Sequence, residues 1–266
     1  MENLKNKIRY SAGLLLGAAL FSFAFISCGS DDEEAVVNPA ELEGWTLTWQ
    51  DEFDKPTIDP LKWKITSRPK EQSHNNELQD YLISEVYIQD GCLRIRSQKT
   101  GANKYISGHI TTFEKFAQMY GRFEVRARLP KTKGIWPAHW MLPVRDAWPP
   151  EIDIMELLGH DPYTVYMTNH WGDATNAGHK WQGGNYKGPD FSADFHTFAV
   201  EWDESKIVWY VDGAMRYISA NGVPHEPFYI ILNTAVGGDW PGFPDETTVF
   251  PQYHDIDYVR VYTKNQ

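Results

Sequence analysis

The sequence predicts an all-β protein of antiparallel strands, either a sandwich or a barrel. Three observations carry this reading. Phe123-Glu124-Val125-Arg126-Ala127-Arg128-Leu129 alternates apolar and charged residues without a break, as a strand with one dry and one wet face must. Lys206–Val211 and Ala214–Ile218 meet across Asp212-Gly213, a turn dipeptide that tolerates positive φ and so closes a two-residue hairpin. No stretch of twelve residues holds a helical stripe, so the crossover helices that parallel sheets require are missing. Further strand-like runs are Thr197–Trp202, Tyr229–Ala235 and Ile256–Tyr262.

The chain opens differently. Lys5, Lys7 and Arg9 precede an apolar stretch from Ala12 to Ile26, too short for a bilayer span of about 20 residues and built like a secretory signal. It closes on Phe25-Ile26-Ser27-Cys28-Gly29, which resembles the lipobox of bacterial lipoproteins, with Cys28 lipidated as the first mature residue. Ser30-Asp31-Asp32-Glu33-Glu34 follows, too charged and too short to fold. The expected organisation is a lipoprotein signal peptide over 1–27, the lipidated Cys28 with an acidic tether over 28–44, and one domain over 45–266. The protein would then sit on the outer membrane, exposed on the surface of a Gram-negative cell. Lipidation of Cys28 leaves Cys92 without a partner, as a small buried hydrophobe rather than a nucleophile.

Composition narrows the partners. With 36 acidic against 25 basic residues the net charge is −11, which argues against nucleic acid as a ligand. The 11 Trp among 14% aromatic residues suit a β core and equally a cleft that stacks on flat ligands. There is no His-Glu-x-x-His and no cysteine pair for zinc.

One segment departs from a simple buried strand. Glu151-Ile152-Asp153-Ile154-Met155-Glu156-Leu157-Leu158 carries three acids in an apolar run. Glu151 and Asp153 share a face, but Glu156, five residues from Glu151, would point into the core. A buried unpaired carboxylate costs several kcal/mol, at about the scale of a lost charge partner. The conflict disappears if Ile154 or Met155 bulges out and turns Glu156 onto the face of the other two. Two carboxyl groups about 5–5.5 Å apart on one face are the arrangement of a retaining glycosidase. An acidic structural or cation-binding cluster is the other reading of these residues alone.

Glu151-Ile152-Asp153-Ile154-Met155-Glu156 resembles the signature of glycoside hydrolase family 16 in its bulged, laminarinase-type form. Trp49–Phe53, Asn75–Gln79, Tyr120–Glu124, Gly134–Ala138, Asn233–Gly242 and Asp257–Tyr262 resemble further motifs of that family, in family order, so the likeness spans residues 49–262. It implies a concanavalin-like jelly roll of two curved antiparallel sheets with an open cleft, and cutting within chains. Glu151 is then the nucleophile, Asp153 its supporting acid and Glu156 the acid/base, with no cofactor for catalysis.

The same resemblance marks the surroundings. Trp136, Trp140, Trp148 and Trp240 sit in matched motifs or beside the acidic strand, where rings can pack on the C–H faces of sugars; Trp45 and Trp209 read as core. Asn76, with Asn75 as the alternative, resembles an amide that bonds sugar hydroxyls on the non-reducing side. His170 falls on the next strand, within reach of Glu156. Glu52, Gly91 and Asp257 match positions that hold a structural calcium in family members. His109 stands where an arginine is usual and His139 where a bulky apolar residue is, so substrate choice is the least determined feature. Three functions follow: an endo-β-1,3-glucanase or mixed-linkage glucanase, an endo-β-galactosidase on host or algal glycans, or a non-catalytic glycan-binding lipoprotein. In each case the expected state is a monomer, touching the membrane only through its lipid.

Overall fold

The structure, a computed structural model, describes residues 41–266 apart from Asp146 and Asn176. The expected signal segment and Cys28 lie outside the described residues. Strands run as β1 (Trp45–Asp51), β2 (Lys64–Ile65), β3 (Gln79–Tyr81), β4 (Val86–Gln89), β5 (Cys92–Gly101), β6 (Lys104–Ser107), β7 (His109–Thr111), β8 (Gly121–Arg128), β9 (Ile135–Pro143), β10 (Glu151–Leu157), β11 (Thr164–Gly172), β12 (His179–Lys187), β13 (His196–Trp202), β14 (Ile207–Val211), β15 (Ala214–Ser219), β16 (Phe228–Val236) and β17 (Gln252–Lys264). The helical content among the described residues is two single 3₁₀ turns, Lys70–Gln72 and Ile83–Glu85.

The alternative between sandwich and barrel resolves into two separate sheets. One has ten strands in the order β15-β14-β13-β8-β17-β5-β6-β3, with β1 added beside β17 and β4 beside β5. The other has seven, β12-β11-β10-β9-β16-β7-β2. Pairing is antiparallel throughout except for β3 with β6. The expected hairpin is β14–β15, and Asp212 and Gly213 both take positive φ, 51° and 73°. The predicted alternation over 123–129 is real: Phe123, Val125 and Ala127 are buried, while Glu124, Arg126 and Arg128 face outward as partners of Asp255, Asp257, Arg122 and Tyr258.

The core lies between the sheets. Val125, Phe198, Val200, Trp202, Trp209 and Val261 from the ten-stranded sheet meet Met141, Ile152, Met155, Leu157, Met167 and Leu232 from the seven-stranded one. Trp209 is core as expected, whereas Trp45, at the start of β1, is only half-buried. Cys92 is also half-buried, and its thiol is pushed up by burial and by the carboxylates of Asp257 and Asp255 rather than activated.

Two histidines bridge the sheets. His139 of β9 and His254 of β17 are fully buried, stacked 5.0 Å apart, with their Nε2 atoms at 2.9 Å. His254 Nδ1 lies 3.2 Å from the Thr234 hydroxyl. The remaining atom, His139 Nδ1, has no partner among the described residues. A bare ring nitrogen without a partner costs less than a stranded N–H. The arrangement of lowest cost therefore has His139 Nε2–H donating to His254, and His254 Nδ1–H donating to Thr234. His139, odd as a sequence position, is explained by its counterpart 115 residues away.

Candidate active site

The acidic strand is β10, in the middle of the seven-stranded sheet between β9 and β11. Its pairing breaks where the odd spacing of the acids demands. On the β9 side Asp153 faces Trp140 and Met155 faces His139, so Ile154 has no opposite number. On the β11 side Asp153 faces Thr168 and Glu156 faces Tyr166. The bulge sends both Ile154 and Met155 into the core and leaves Glu151, Asp153 and Glu156 on the outer face. A bulge also interrupts the ladder and frees backbone groups. The Asp153 carbonyl is taken up by Trp209, whose indole N–H reaches it from the opposite sheet at 2.8 Å. That contact had no sequence signal.

Each outer acid has an indole of its own. Trp148 donates to Glu151 Oε2 at 3.0 Å, and Trp136 donates to Glu156 Oε1 at 3.0 Å. His170 sits directly opposite Glu151 on β11, not near Glu156 as expected; Tyr166 occupies that place. Its Nε2 is 3.3 Å from Asp153 Oδ2 and 3.7 Å from Glu151 Oε1. On its far side His170 Nδ1 meets His179 Nε2 at 2.9 Å, the two rings stacked, and Trp148 packs on His179 at 4.8 Å. His179 was not found from sequence, because only the β11–β12 register brings it to His170.

These contacts sort the protons. Burial raises all three carboxyls, Glu156 up to about 8. Three carboxyls crowded in one patch, Asp153 buried and Glu151 and Glu156 half-buried, cannot all ionise. Glu151 is raised by burial and by neighbouring Asp153, with His170 and the Trp148 N–H working to hold its charge. Glu156 is raised by burial and by the charge of Glu151, with only the Trp136 N–H against them. Double displacement draws on the arrangement with Glu151 ionised and Glu156 protonated, and His170 and the Trp148 N–H favour it.

Such a pair performs double displacement. Glu151 Oε attacks an anomeric carbon as the bond to the leaving oxygen breaks, and the Glu156 proton moves to that oxygen. Water then attacks the same carbon, gives its proton to Glu156 and releases Glu151 from the ester. No step requires a metal.

Residues from β9, β16 and the loops extend the site to one side. Trp140 donates to Asn233 Oδ1 at 2.7 Å, and Asn233 donates to the Tyr81 hydroxyl at 2.9 Å. Trp240 packs edge-on against Trp136 and against Tyr166. Asn76 donates to Asp239 at 2.9 Å, tying its loop to the one that carries Trp240. His109, on β7 opposite Asn233, lies against the Tyr81 ring and is only 8% exposed. Burial holds it neutral, with its pKa down to about 3. A guanidinium is present all the same: Arg68 lies over the Tyr81 ring at 5.1 Å and its charge further depresses His109. Arg68 and Tyr81 went unnoticed in the sequence because they belong to a segment without periodicity.

The expected calcium ligands do not fit a cation as placed. Glu52 grips Arg260 through two bonds of 2.8 and 2.7 Å, and Asp257 holds Arg126 at 2.5 Å. Calcium needs oxygens whose charge is available, and guanidiniums already match these. Gly91 forms the β4–β5 turn, at φ 75°.

Comparison with known proteins agrees with the site. The glycosyl hydrolases family 16 model matches residues 72–260. The chain belongs to glycosyl hydrolase family 16. This family 16 member resembles the laminarinase catalytic domain from Thermotoga maritima MSB8, with a TM-score of 0.77 and 42% identity, covering 84% of this chain and 100% of that one. It is 35% identical to glucan endo-1,3-beta-glucosidase A1 of Niallia circulans over 98% of its own length and 46% of that protein's. It is 32% identical to the keratan-sulfate endo-1,4-beta-galactosidase of Sphingobacterium multivorum, over 82% of this chain and 55% of that one. The chain thus spans about half the length of either curated relative. As a family 16 glycosidase with a jelly-roll fold, it hydrolyses O-glycosyl bonds with retention and without a catalytic cofactor.

Proposed function

We propose that this glycosidase cuts internal bonds of a β-1,3-glucan, outside the cell and tethered by lipid at Cys28. The observation that carries the internal cut is the position of β10 in mid-sheet. The sheet continues on both sides of it, through β9 and β16 one way and β11 and β12 the other, with exposed Trp240 packed on Trp136 and Tyr166 and exposed Trp148 on His170 and His179, so sugars can extend in both directions from the bond that breaks. Asn76, Asp239 and Trp140 would hold the non-reducing half. The glucan choice rests on the likeness to laminarinases through Asn75–Gln79 and Val236–Gly242. Neutral, buried His109 favours a second reading, a β-galactoside, since it cannot supply a charged donor to a sugar hydroxyl.

Product analysis on laminarin, lichenan, agarose and mucin glycans separates these. Internal cleavage of laminarin with the β-anomer formed first supports the glucanase. Silence on laminarin with galactose-containing oligosaccharides released from the others overturns it in favour of the second reading. For the tether, Cys28→Ala should move the protein from the membrane fraction to the soluble one with specific activity unchanged. A single chain anchors weakly, so the multiply acylated bacterial form is what the tether implies. Continued sedimentation of the alanine variant would refute it.

A further inference from the structure

Trp181 is the most exposed tryptophan of the described domain, at 64%. Nothing in the fold accounts for that exposure, since leaving an indole in water forfeits about 25 cal/mol for every Å² it fails to bury. Its place in the sheet does account for it. Glu151 pairs with His170, and His170 pairs with Trp181 across β11 and β12. Directly paired residues point to the same side of a sheet. Trp181 therefore stands on the catalytic face, two strands and about 10 Å from the nucleophile.

The neighbouring rows show that this side of the floor is shaped and open. Asp153 leads through Thr168 to Gly183, where an added Cβ would come within 2.9 Å of the Met167 carbonyl and the Thr168 hydroxyl oxygen. Glu156 leads through Tyr166 to Asn185. The glycine removes any side chain beside the Trp181 ring, and His179, two residues back on the same face, is held down by Trp148. The ring is left uncovered on a continuous surface that begins at the reacting carboxylates.

We propose that Trp181 is the stacking platform for the second sugar beyond the scissile bond on the leaving-group side, and so governs acceptor binding. The assignment rests on the reading that Asn76 and its loop hold the non-reducing half, which leaves the β12 side for the reducing half. In the glycosyl-enzyme the anomeric carbon is esterified to Glu151. Either water or a sugar hydroxyl attacks that carbon; the ester C–O bond breaks and the attacking O–H proton passes to Glu156. Water needs no platform. A sugar acceptor does.

The test is partition. Wild type and Trp181→Ala are given 4-nitrophenyl β-laminaribioside as donor, with and without laminaritriose as acceptor. Stacking of this kind should be worth about three- to tenfold. Trp181→Ala should lower the transfer-to-hydrolysis ratio by that factor and raise KM for laminarin. It should leave acceptor-free nitrophenol release unchanged, and Trp181→Phe should restore most of the ratio. An unchanged ratio and KM would overturn the proposal. So would an equal fall in nitrophenol release, which would mean that the ring supports the fold. If the only donor is a 4-nitrophenyl β-galactoside carrying N-acetylglucosamine on its 3-hydroxyl, so that galactose bears the nitrophenol, the glucan reading has failed. The partition is then measured on that donor with N-acetylglucosaminyl-β-1,3-galactose as acceptor, and the same outcomes decide it.

Discussion

Glu151→Gln is expected to lose hydrolysis of any substrate by about 10,000-fold or more, the scale on which removal of a covalent nucleophile is felt in other double-displacement enzymes. In barrier terms that is at least about 5 kcal/mol. The amide can still accept the Trp148 N–H, but it has no charge with which to attack the anomeric carbon. Stability should not suffer. Burial raises the Glu151 carboxyl above its ordinary value, so its contribution to stability is full below the unfolded pKa and is lost as pH rises towards the folded one. At neutral pH the glutamine variant should melt no lower than wild type. Reducing-end release and a thermal melt on the same sample check both halves. Turnover near wild type in a folded Glu151→Gln protein would move the nucleophile elsewhere.

Glu156→Ala should show a split effect. On polysaccharide the loss is about 100- to 10,000-fold, the usual worth of a positioned acid/base. With a 2,4-dinitrophenyl glycoside the leaving group departs without a proton, so the first step survives and the glycosyl ester accumulates. Azide, which needs no deprotonation, should then release it as the β-glycosyl azide. The pH profile carries an independent signature. Wild-type kcat should fall as pH rises past about 8, where the raised Glu156 loses its proton, and the alanine variant should lack that limb with the activated substrate. An azide-indifferent variant that keeps the alkaline limb would show that some other group supplies the proton.

The sequence made the acids legible because chemistry and periodicity conflict there. Glu151 and Glu156 cannot share a face of a regular strand, and the apolar residues between them say that both are not simply solvated; the bulge followed from that conflict alone. What surrounds the acids was legible only in part. Trp136 and Trp148 could be placed near β10 from their motifs, although not as donors to particular carboxylates. His170 was given to the wrong acid, because which residues of β11 face β10 depends on the length of the loop between them, not on either strand's pattern. His179, Trp181 and the Trp209 contact to the Asp153 carbonyl depend on register and on packing across the two sheets, and neither is written in local sequence. The calcium positions show the same limit of local sequence: Glu52 and Asp257 stand where the family pattern puts acids, and their pairing with Arg260 and Arg126 comes only from the strand register.

The pair His139–His254 has a consequence for acid tolerance. Most proteins lose stability in acid when surface carboxylates take up protons and their ion pairs dissolve. Here the first demand for protons comes from inside. Burial holds His254 down to about 4, and His139 is held below the usual histidine range by burial and by His254 itself. In the unfolded chain both imidazoles titrate near 6.5. A depressed histidine contributes stability in full above that value and loses it as pH falls towards the folded one, so acidification from about 6.5 to about 4 pulls on the unfolded state. For His254 alone this linkage is on the order of 3 kcal/mol. Over the same range the raised carboxyls of Glu151, Asp153 and Glu156 gain stability and buried His109 loses it, so the pair is read by difference: relative to wild type, the melting temperature of the double variant His139→Leu/His254→Met should rise as pH falls across that window. Equal slopes would assign the loss to other groups. A seam between two sheets thereby contributes to how acidic a medium the catalytic face can work in.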